Sequence, residues 1–276
     1  MTALLAVVSA LLIGGADFVG GITSRRASAA CVAVLAQLAG LVLAIPVAVV
    51  VDWERVTAAD ISWSLASGFA VGVGLVLFYT AMARGMISLV APVTAVTGAV
   101  VPVVYALGGG ERPGTTALAG IVLAVLAIAL VSVAPGGGVG GAGTLALAVA
   151  AGLLFGLFYV FLSRVDEDAG LWPVAISRIG SAVVLVGMAL AVTRGIRLER
   201  RLAPRIALIG ALEVAAATAL LVALQRGPVS VASVLASLYP VTTTFLAALV
   251  LRERLRGLQL VGVALALVAV ALISSA

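Results

Sequence analysis

Residues 84–132, RGMISLVAPVTAVTGAVVPVVYALGGGERPGTTALAGIVLAVLAIALVS, decide the fold because the chain repeats their pattern. A shift of 142 positions places them without a gap on residues 226–274, RGPVSVASVLASLYPVTTTFLAALVLRERLRGLQLVGVALALVAVALIS. The polar and glycine matches keep their order: Arg84-Gly85 with Arg226-Gly227, Ser88 with Ser230, Glu111-Arg112 with Glu253-Arg254, and Gly120 with Gly262. The repeated unit is an apolar helix, a short charged loop and another apolar helix, so the chain consists of two tandem halves.

Composition sets the class of protein. Of the 276 residues, 64% are hydrophobic and only 10% are charged, whereas soluble domains carry about a quarter charged residues. Apolar runs of about 20 residues, long enough to cross a bilayer, recur from end to end. Their approximate bounds are 2–21, 30–51, 61–83, 88–107, 115–133, 144–163, 171–193, 203–225, 230–251 and 257–274. The sequence therefore predicts a multi-pass protein of the cell membrane, in contact with the lipid bilayer.

The ten spans divide into two sets of five. We predict a first repeat at residues 1–134, a Gly-rich linker at 135–143 and a second repeat at 144–276. An odd number of spans per half makes the second half enter the membrane from the opposite side. The predicted fold is therefore all-α, with ten transmembrane helices in two inverted-topology repeats. Such repeats are typical of secondary transporters, whose substrate site lies between the halves.

An Arg-Gly turn before the fourth helix of each half and a Glu-Arg turn before the fifth are accompanied by Gly14, Gly156, Pro92 and the Gly-Glu-Arg at 110–112. With the helix count, these features resemble the drug/metabolite transporter superfamily, EamA type. The resemblance covers essentially the whole chain and implies a transporter of small metabolites with both termini in the cytoplasm. One position departs from it. Family second helices often carry an early arginine, where this chain has Gln37, and the corresponding residue appears only as Arg178 in the second half.

Three ionisable residues fall inside predicted spans, where each charge costs about 2.5–3.5 kcal/mol on insertion scales. Glu213 is the most central, and burial favours the protonated form of a carboxylate. It is therefore a candidate site for a proton or a substrate cation, or else a neutral or arginine-paired structural residue. Arg178 can pair with Glu213 or Asp17, hold a substrate carboxylate, or extend toward the interface. Asp17 is a further candidate, although its place near a helix end also suits capping.

The fourth and ninth spans supply further candidates for a polar pocket. On the fourth, Thr97, Gly98 and Tyr105 follow a helical spacing, and on the ninth Ser237 and Tyr239 lie beside Pro240. Gly98 and Pro240 coincide under the 142-residue shift, so we expect both helices to be weakened at the same depth. Hydroxyl side chains also join membrane helices without binding a substrate. Tyr159 and Gln37 complete the set of candidate binding residues. We expect the Glu111-Arg112 and Glu253-Arg254 turns to form loop salt bridges or to place charges at helix starts.

No Walker loop, zinc-ligand spacing, nucleophile elbow or dinucleotide turn occurs in the sequence. We therefore expect neither an enzyme nor a cofactor or metal. The first functional hypothesis is a secondary transporter that moves small metabolites, such as amino acids or related amphipathic compounds, outward, with protons as the coupled ion. The alternative is a membrane scaffold or receptor-like protein on the same fold. Nucleic acid is excluded as a partner because the arginines lie in short loops between helices.

Arginine counts disagree with the resemblance about orientation. The loops on the N-terminal side of the membrane carry fewer arginines than the alternate loops, so the positive-inside rule places both termini outside. The resemblance places them in the cytoplasm, and we follow it because several of the arginines stand beside acids or in one cluster.

Overall fold

The chain folds into a bundle of α-helices. The computed structural model describes residues 1–24, 26–50, 55–84, 87–131, 141–192, 200–252 and 257–275, and this part of the chain contains no strand. The helices are α1 (Thr2–Ser24), α2 (Ala29–Val50), α3 (Ala58–Arg84), α4 (Ile87–Gly108), α5 (Thr115–Val131), α6 (Ala142–Leu162), α7 (Trp172–Val192), α8 (Ala203–Gln225), α9 (Val229–Ala236), α10 (Tyr239–Val250) and α11 (Gly257–Ser274). Two short 3-10 helices, Glu167–Ala169 and Arg200–Leu202, precede α7 and α8.

Each predicted span corresponds to helix. Within the described residues, eight helical segments are long and apolar enough to cross a membrane, and two shorter apolar segments lie at Val93–Gly108 and Thr115–Leu130. One of the eight segments, Val229–Val250, contains both α9 and α10. The all-α polytopic fold predicted from the sequence is thereby confirmed.

Local chemistry explains why α3 begins three residues earlier than predicted. The Asp60 carboxylate accepts hydrogen bonds from the backbone N–H and the hydroxyl of Thr57, at 2.9 and 2.6 Å. The Thr57 hydroxyl oxygen in turn accepts from the Asp60 backbone N–H at 3.2 Å. This reciprocal arrangement satisfies N–H groups that the first turn of a helix leaves without partners. The polar residues before Ile61 therefore belong to the helix.

Contacts between the two halves occur in exchanged pairs. Helix α1 packs against α8, and α6, its counterpart in the second half, packs against α3. Helix α4 packs against α6, and its counterparts α9 and α10 pack against α1. Helix α2 packs against α8, and its counterpart α7 packs against α3. Two further contacts, between α2 and α7 and between α5 and α11, each join a helix to its own counterpart in the other half.

The boundaries of the repeats at residues 134 and 144 stay a prediction, and most of the linker, residues 135–140, lies outside the described residues.

Glycines at equivalent positions allow close helix packing in both halves. A Cβ atom at Gly14 of α1 would collide with the carbonyl oxygen of Tyr239 and the side chain of Thr242, both on α10. A Cβ atom at Gly156 of α6 would collide with Val101 and lie 3.0 Å from the Gly98 carbonyl oxygen on α4. Small residues permit such approaches between membrane helices. Helix α1 therefore packs closely against α10, and its counterpart α6 packs closely against α4.

The ninth span is interrupted, whereas the fourth is not. Helix α9 ends at Ala236 and α10 begins at Tyr239, with Pro240 in its first turn. Proline lacks the N–H that a continuous helix would need and is suited to a helix start. Helix α4 continues through Gly98, which packs against the backbone of α6. The expectation that both helices are weakened at the same depth is wrong for α4, because a glycine retains the N–H that a proline lacks.

Alternate crossing places particular loops on one face of the membrane. The N-terminal face, defined as the face where α1 begins, also holds the starts of α3 and α9 and the ends of α4 and α6. Contacts on this face agree with that arrangement, since the Thr2 hydroxyl donates to the Arg226 carbonyl oxygen at 3.1 Å. The Asp60 carboxylate likewise accepts from the Asp166 backbone N–H at 3.0 Å.

Candidate functional site

A cavity of about 650 Å³ lies inside the bundle and receives side chains from both halves. Its lining includes seven of the ten residues predicted as binding residues: Asp17, Gln37, Gly98, Tyr159, Glu213, Ser237 and Tyr239. An eighth, Arg178, is not part of the lining, but its side chain donates hydrogen bonds to Gln37 and Glu213. Among the residues that the structure describes, α5 contributes none to the lining and α11 contributes Gln259.

The first group of polar side chains is the arginine cluster, formed by Gln37, Arg178 and Glu213. Arg178 on α7 donates from Nη1 to the Glu213 carboxylate on α8 at 2.5 Å and to the Gln37 amide oxygen on α2 at 2.6 Å. The Ser181 hydroxyl also donates to that amide oxygen at 3.2 Å. Arg178 and Gln37 are each only 7% exposed. The cluster therefore joins three helices and both halves of the chain.

Close packing of backbone brings these three helices together. A Cβ atom at Gly210 of α8 would lie 2.7 Å from the Gly40 backbone nitrogen of α2 and 2.9 Å from the Ala36 carbonyl oxygen. A Cβ atom at Gly40 would lie 3.2 Å from Arg178 Nη1. Both glycines thus leave room for α2 and α8 to approach and for the guanidinium between them. The position of Arg178 follows from this packing.

The salt bridge decides between the sequence hypotheses for Glu213. An ion pair requires a charged carboxylate, and an arginine does not lose its proton. Glu213 is therefore arginine-paired, which was one of the alternatives that the sequence left open. Arg178 in turn donates from Nη1 to both Glu213 and Gln37, so the pairing with Glu213 considered from the sequence is present.

The second group is the tyrosine cluster, formed by Asp17, Tyr159, Ser237 and Tyr239. The hydroxyl groups of Tyr159 and Ser237 lie near each other. Asp17 lies close enough to both tyrosines and to Glu213 to interact with them electrostatically. Its side chain borders the cavity, and no arginine pairs with it in the part of the chain that the structure describes. Asp17 faces the cavity and does not serve as a cap, the alternative that its place near a helix end suggested.

Two predicted binding residues lie away from the cavity. The Thr97 hydroxyl donates to the Val93 carbonyl oxygen of its own helix at 2.7 Å. The Tyr105 ring lies beneath the guanidinium of Arg164, whose carbon is 5.5 Å from the ring centroid, at the N-terminal face. Gly98 of the same helix reaches the cavity lining, but Thr97 packs against Gly152 of α6 and Tyr105 lies near the N-terminal face. The assignment of Thr97 and Tyr105 to the cavity was wrong for this reason.

Aromatic side chains supply the apolar part of the cavity and were missed in the sequence. Phe155 and Phe158 on α6 line it together with Phe78 on α3. The rings of Phe78 and Phe155 are 6.2 Å apart, and those of Phe158 and Tyr159 are 5.4 Å apart. Aromatic residues make up only 5% of the chain, so the spacing of residues 155, 158 and 159 was a signal for one aromatic face. The cavity thus combines an acidic and hydroxyl region with an aromatic region.

Comparison with known proteins agrees with this architecture. Residues 143–275 match the profile of the EamA-like transporter family, which is part of the drug/metabolite transporter superfamily. The match covers the second half of the chain. A solved structure described as "Crystal structure of protein" shares the fold with a TM-score of 0.80 at 16% identity, covering 99% of this chain and 96% of that one. No curated protein matches the chain.

The family resemblance predicted from the turns and the helix count is therefore confirmed. EamA-like proteins are membrane transporters of the drug/metabolite type, so the chain is a multi-pass membrane transporter that acts on a small-molecule substrate within a lipid environment.

Proposed function

We propose that this transporter is a secondary exporter of small amphipathic compounds that carry a protonated amino group, such as amino acids or related amines, in exchange for protons. The observation that carries the proposal is a charge imbalance. Two carboxylates, Asp17 and Glu213, interact inside one cavity, and Arg178 forms its ion pair with Glu213. A cation beside Asp17 would restore the balance.

The cavity suits a ligand with one charged and one apolar end. Asp17 and the hydroxyl groups of Tyr159, Ser237 and Tyr239 offer acceptors for an ammonium group, which has three donors. Phe78, Phe155 and Phe158 offer apolar and cation–π contacts beside them. A volume of about 650 Å³ is within the range of small-molecule sites. These features favour amines over compounds that are only anionic, because Arg178 is already bonded.

We further propose that Asp17, and not Glu213, is the proton-exchange residue. A proton on Asp17 relieves the repulsion between the two carboxylates and competes with the ammonium group for the same oxygen atoms. If the two halves are inverted repeats, the cavity can open to each side in turn. With the termini in the cytoplasm, a proton that enters from outside would release the amine there. This order of events gives outward transport.

The test is counterflow in proteoliposomes, with a panel of amines and of carboxylates lacking an amino group, with and without an imposed pH gradient. We expect amines to exchange and a proton gradient to drive them against their concentration. Asp17→Asn should weaken amine affinity about tenfold to a hundredfold, because a hydrogen bond to a charged group contributes about 1.5–3 kcal/mol. It should also abolish the effect of the pH gradient.

Asp168→Asn is the matched control, because it makes the same chemical change at an exposed acid in the loop between α6 and α7. The control should transport as the parent protein does. Full dependence on the pH gradient in Asp17→Asn would refute the role of Asp17. A preference for carboxylates without an amino group would refute the substrate class.

A further inference from the structure

Glu111, in the loop between α4 and α5, contacts the second half of the chain at the N-terminal face. Its carboxylate accepts a hydrogen bond from the Val229 backbone N–H at 2.6 Å. It also accepts from the Ser230 backbone N–H at 3.3 Å and from the Ser230 hydroxyl at 2.5 Å. Ser230 is fully buried, whereas Glu111 is half-buried. Glu111 therefore acts as a helix-start charge, one of the two roles expected from the sequence, and the helix concerned is α9 of the other half.

These bonds replace a missing cap. Residue Pro228 stands at the N-cap of α9 and has no side chain that could accept a hydrogen bond. The first N–H groups of a helix have no partners within it, and they carry the positive end of the helix dipole. Glu111 supplies a negative charge and two acceptor atoms at this point. The cap of α9 therefore comes from the other half of the protein.

Helix α9 connects this cap to the cavity. It spans eight residues, Val229–Ala236, and is followed directly by Ser237 and then by Tyr239, which both line the cavity. Most of its residues are buried, and its last turn closes with the Ser237 N–H donating to the Ser233 carbonyl oxygen at 2.9 Å. Glu111 and the cavity residue Ser237 therefore lie at opposite ends of the same short helix.

Other contacts join loops at the N-terminal face, while the cavity lining includes residues near the opposite face. Besides the contact of Asp60 with Asp166, the Gln225 amide donates to the Asp166 carbonyl oxygen at 3.0 Å. By contrast, the cavity lining includes Ser24 at the end of α1 and Gln259 at the start of α11, both near the opposite face. Among the described residues, Glu111 is the charged side chain that closes the N-terminal face by bonding to α9.

We propose that Glu111 is a positioning residue for transport, which holds α9 in the arrangement closed at the N-terminal face. When its bonds to Val229 and Ser230 break, α9 and the Ser237 end of the cavity are released, and the cavity opens to the N-terminal face. The proposal rests on the transport function but not on the identity of the substrate. It gives the loop between α4 and α5 a direct role in access to the cavity.

The test measures access to the cavity in the full chain reconstituted into vesicles. In a Cys31→Ser background, Thr244→Cys places a thiol in the cavity lining, and a membrane-impermeant maleimide is applied from either side. Asp168→Cys, in the exposed loop on the N-terminal face, reports the orientation of the vesicles. With Glu111 present, we expect labelling at Thr244→Cys from the face opposite the N-terminus.

Glu111→Gln should raise labelling from the N-terminal face at least fivefold and lower labelling from the opposite face. Ser230→Ala removes one of the three bonds and should shift labelling in the same direction by a smaller factor. Glu167→Gln, the same chemical change at an exposed glutamate on the same face, should leave both rates unchanged. If Glu111 had only a structural role, its replacement would leave both labelling rates unchanged or would raise both equally.

Unchanged labelling from the N-terminal face in folded Glu111→Gln would overturn the proposal, as would an equal rise from both faces. If Glu111→Gln does not fold, Ser230→Ala decides in the same way. Because the labelling needs no substrate, the two proposals fail separately. A chain that labels as expected but exchanges no amine contradicts the proposed function alone.

Discussion

The arginine cluster and the tyrosine cluster each present a carboxylate to the same cavity, yet the two carboxylates have different surroundings. Glu213 is bonded to Arg178, which is bonded in turn to Gln37. Asp17 has hydroxyl groups and the charge of Glu213 nearby but no arginine partner among the described residues. The partner, and not the residue type or its depth in the membrane, determines what each acid can do.

The difference assigns separate tasks to the two clusters. A buried ion pair with its hydrogen bonds satisfied joins helices and tolerates little change. An acid without a cation can instead accept a proton or a cationic ligand from the cavity. The arginine cluster therefore fixes the geometry of the site, and we expect the tyrosine cluster to carry its exchange chemistry. Substitutions that affect only one cluster test this division.

Arg178→Ala should have the largest effect. We expect the free energy of unfolding to fall by about 3 kcal/mol, because removal of one partner of a buried ion pair leaves the other charge uncompensated. The Glu213 side chain is 28% exposed, which places the expected loss at the lower end of such effects. Equilibrium unfolding in mixed detergent micelles measures it. Arg201→Ala, at an exposed arginine, should change stability by less than about 0.5 kcal/mol.

The double variant Arg178→Ala/Glu213→Ala sharpens this prediction. It removes both charges, so its loss should be clearly smaller than the sum of the two single losses. Losses that simply add would mean that the two residues do not stabilise each other, and the arginine cluster would lose its structural task.

Glu213→Gln should have an intermediate effect on stability and little effect on proton coupling. The amide oxygen can still accept from Arg178, but without a charge, so we expect a loss of about 1–2 kcal/mol. Proteoliposomes with this variant should keep their dependence on the pH gradient, in contrast to Asp17→Asn. If Glu213→Gln loses that dependence and Asp17→Asn retains it, the comparison between the clusters is reversed.

Much of the architecture could be predicted because it follows from composition and spacing. The apolar runs gave ten helices, and Glu213, Arg178 and Asp17 stood out because charges within a membrane span are unfavourable. Seven of the ten candidate residues line the cavity. These successes share one cause: bilayer thickness and the energy of burying charge act on each segment separately.

The unpredicted features depend on which helices are neighbours. The bond between Arg178 and Gln37 joins residues 141 positions apart, and nothing local indicates it. For the same reason, the sequence left open whether Glu213 exchanges a proton or pairs with an arginine. Thr97 was misplaced because the spacing of residues on α4 defines a face but not what that face contacts. The contact of Glu111 with Ser230 likewise depends on tertiary structure.

Tyr159→Phe should have the smallest effect and tests how the tyrosine cluster works. The change removes the hydroxyl that lies near the Ser237 side chain. Ser237 keeps its own bond to the Ser233 carbonyl oxygen at 2.8 Å, so no buried group is left without a partner. We therefore expect a stability loss of about 0.5–1 kcal/mol. If Asp17 alone holds the ammonium group, amine affinity should fall by less than threefold in the counterflow assay. A tenfold loss at unchanged stability would instead mean that the Tyr159 hydroxyl contacts the substrate directly, and ligand binding would then be shared between the carboxylate and the phenol.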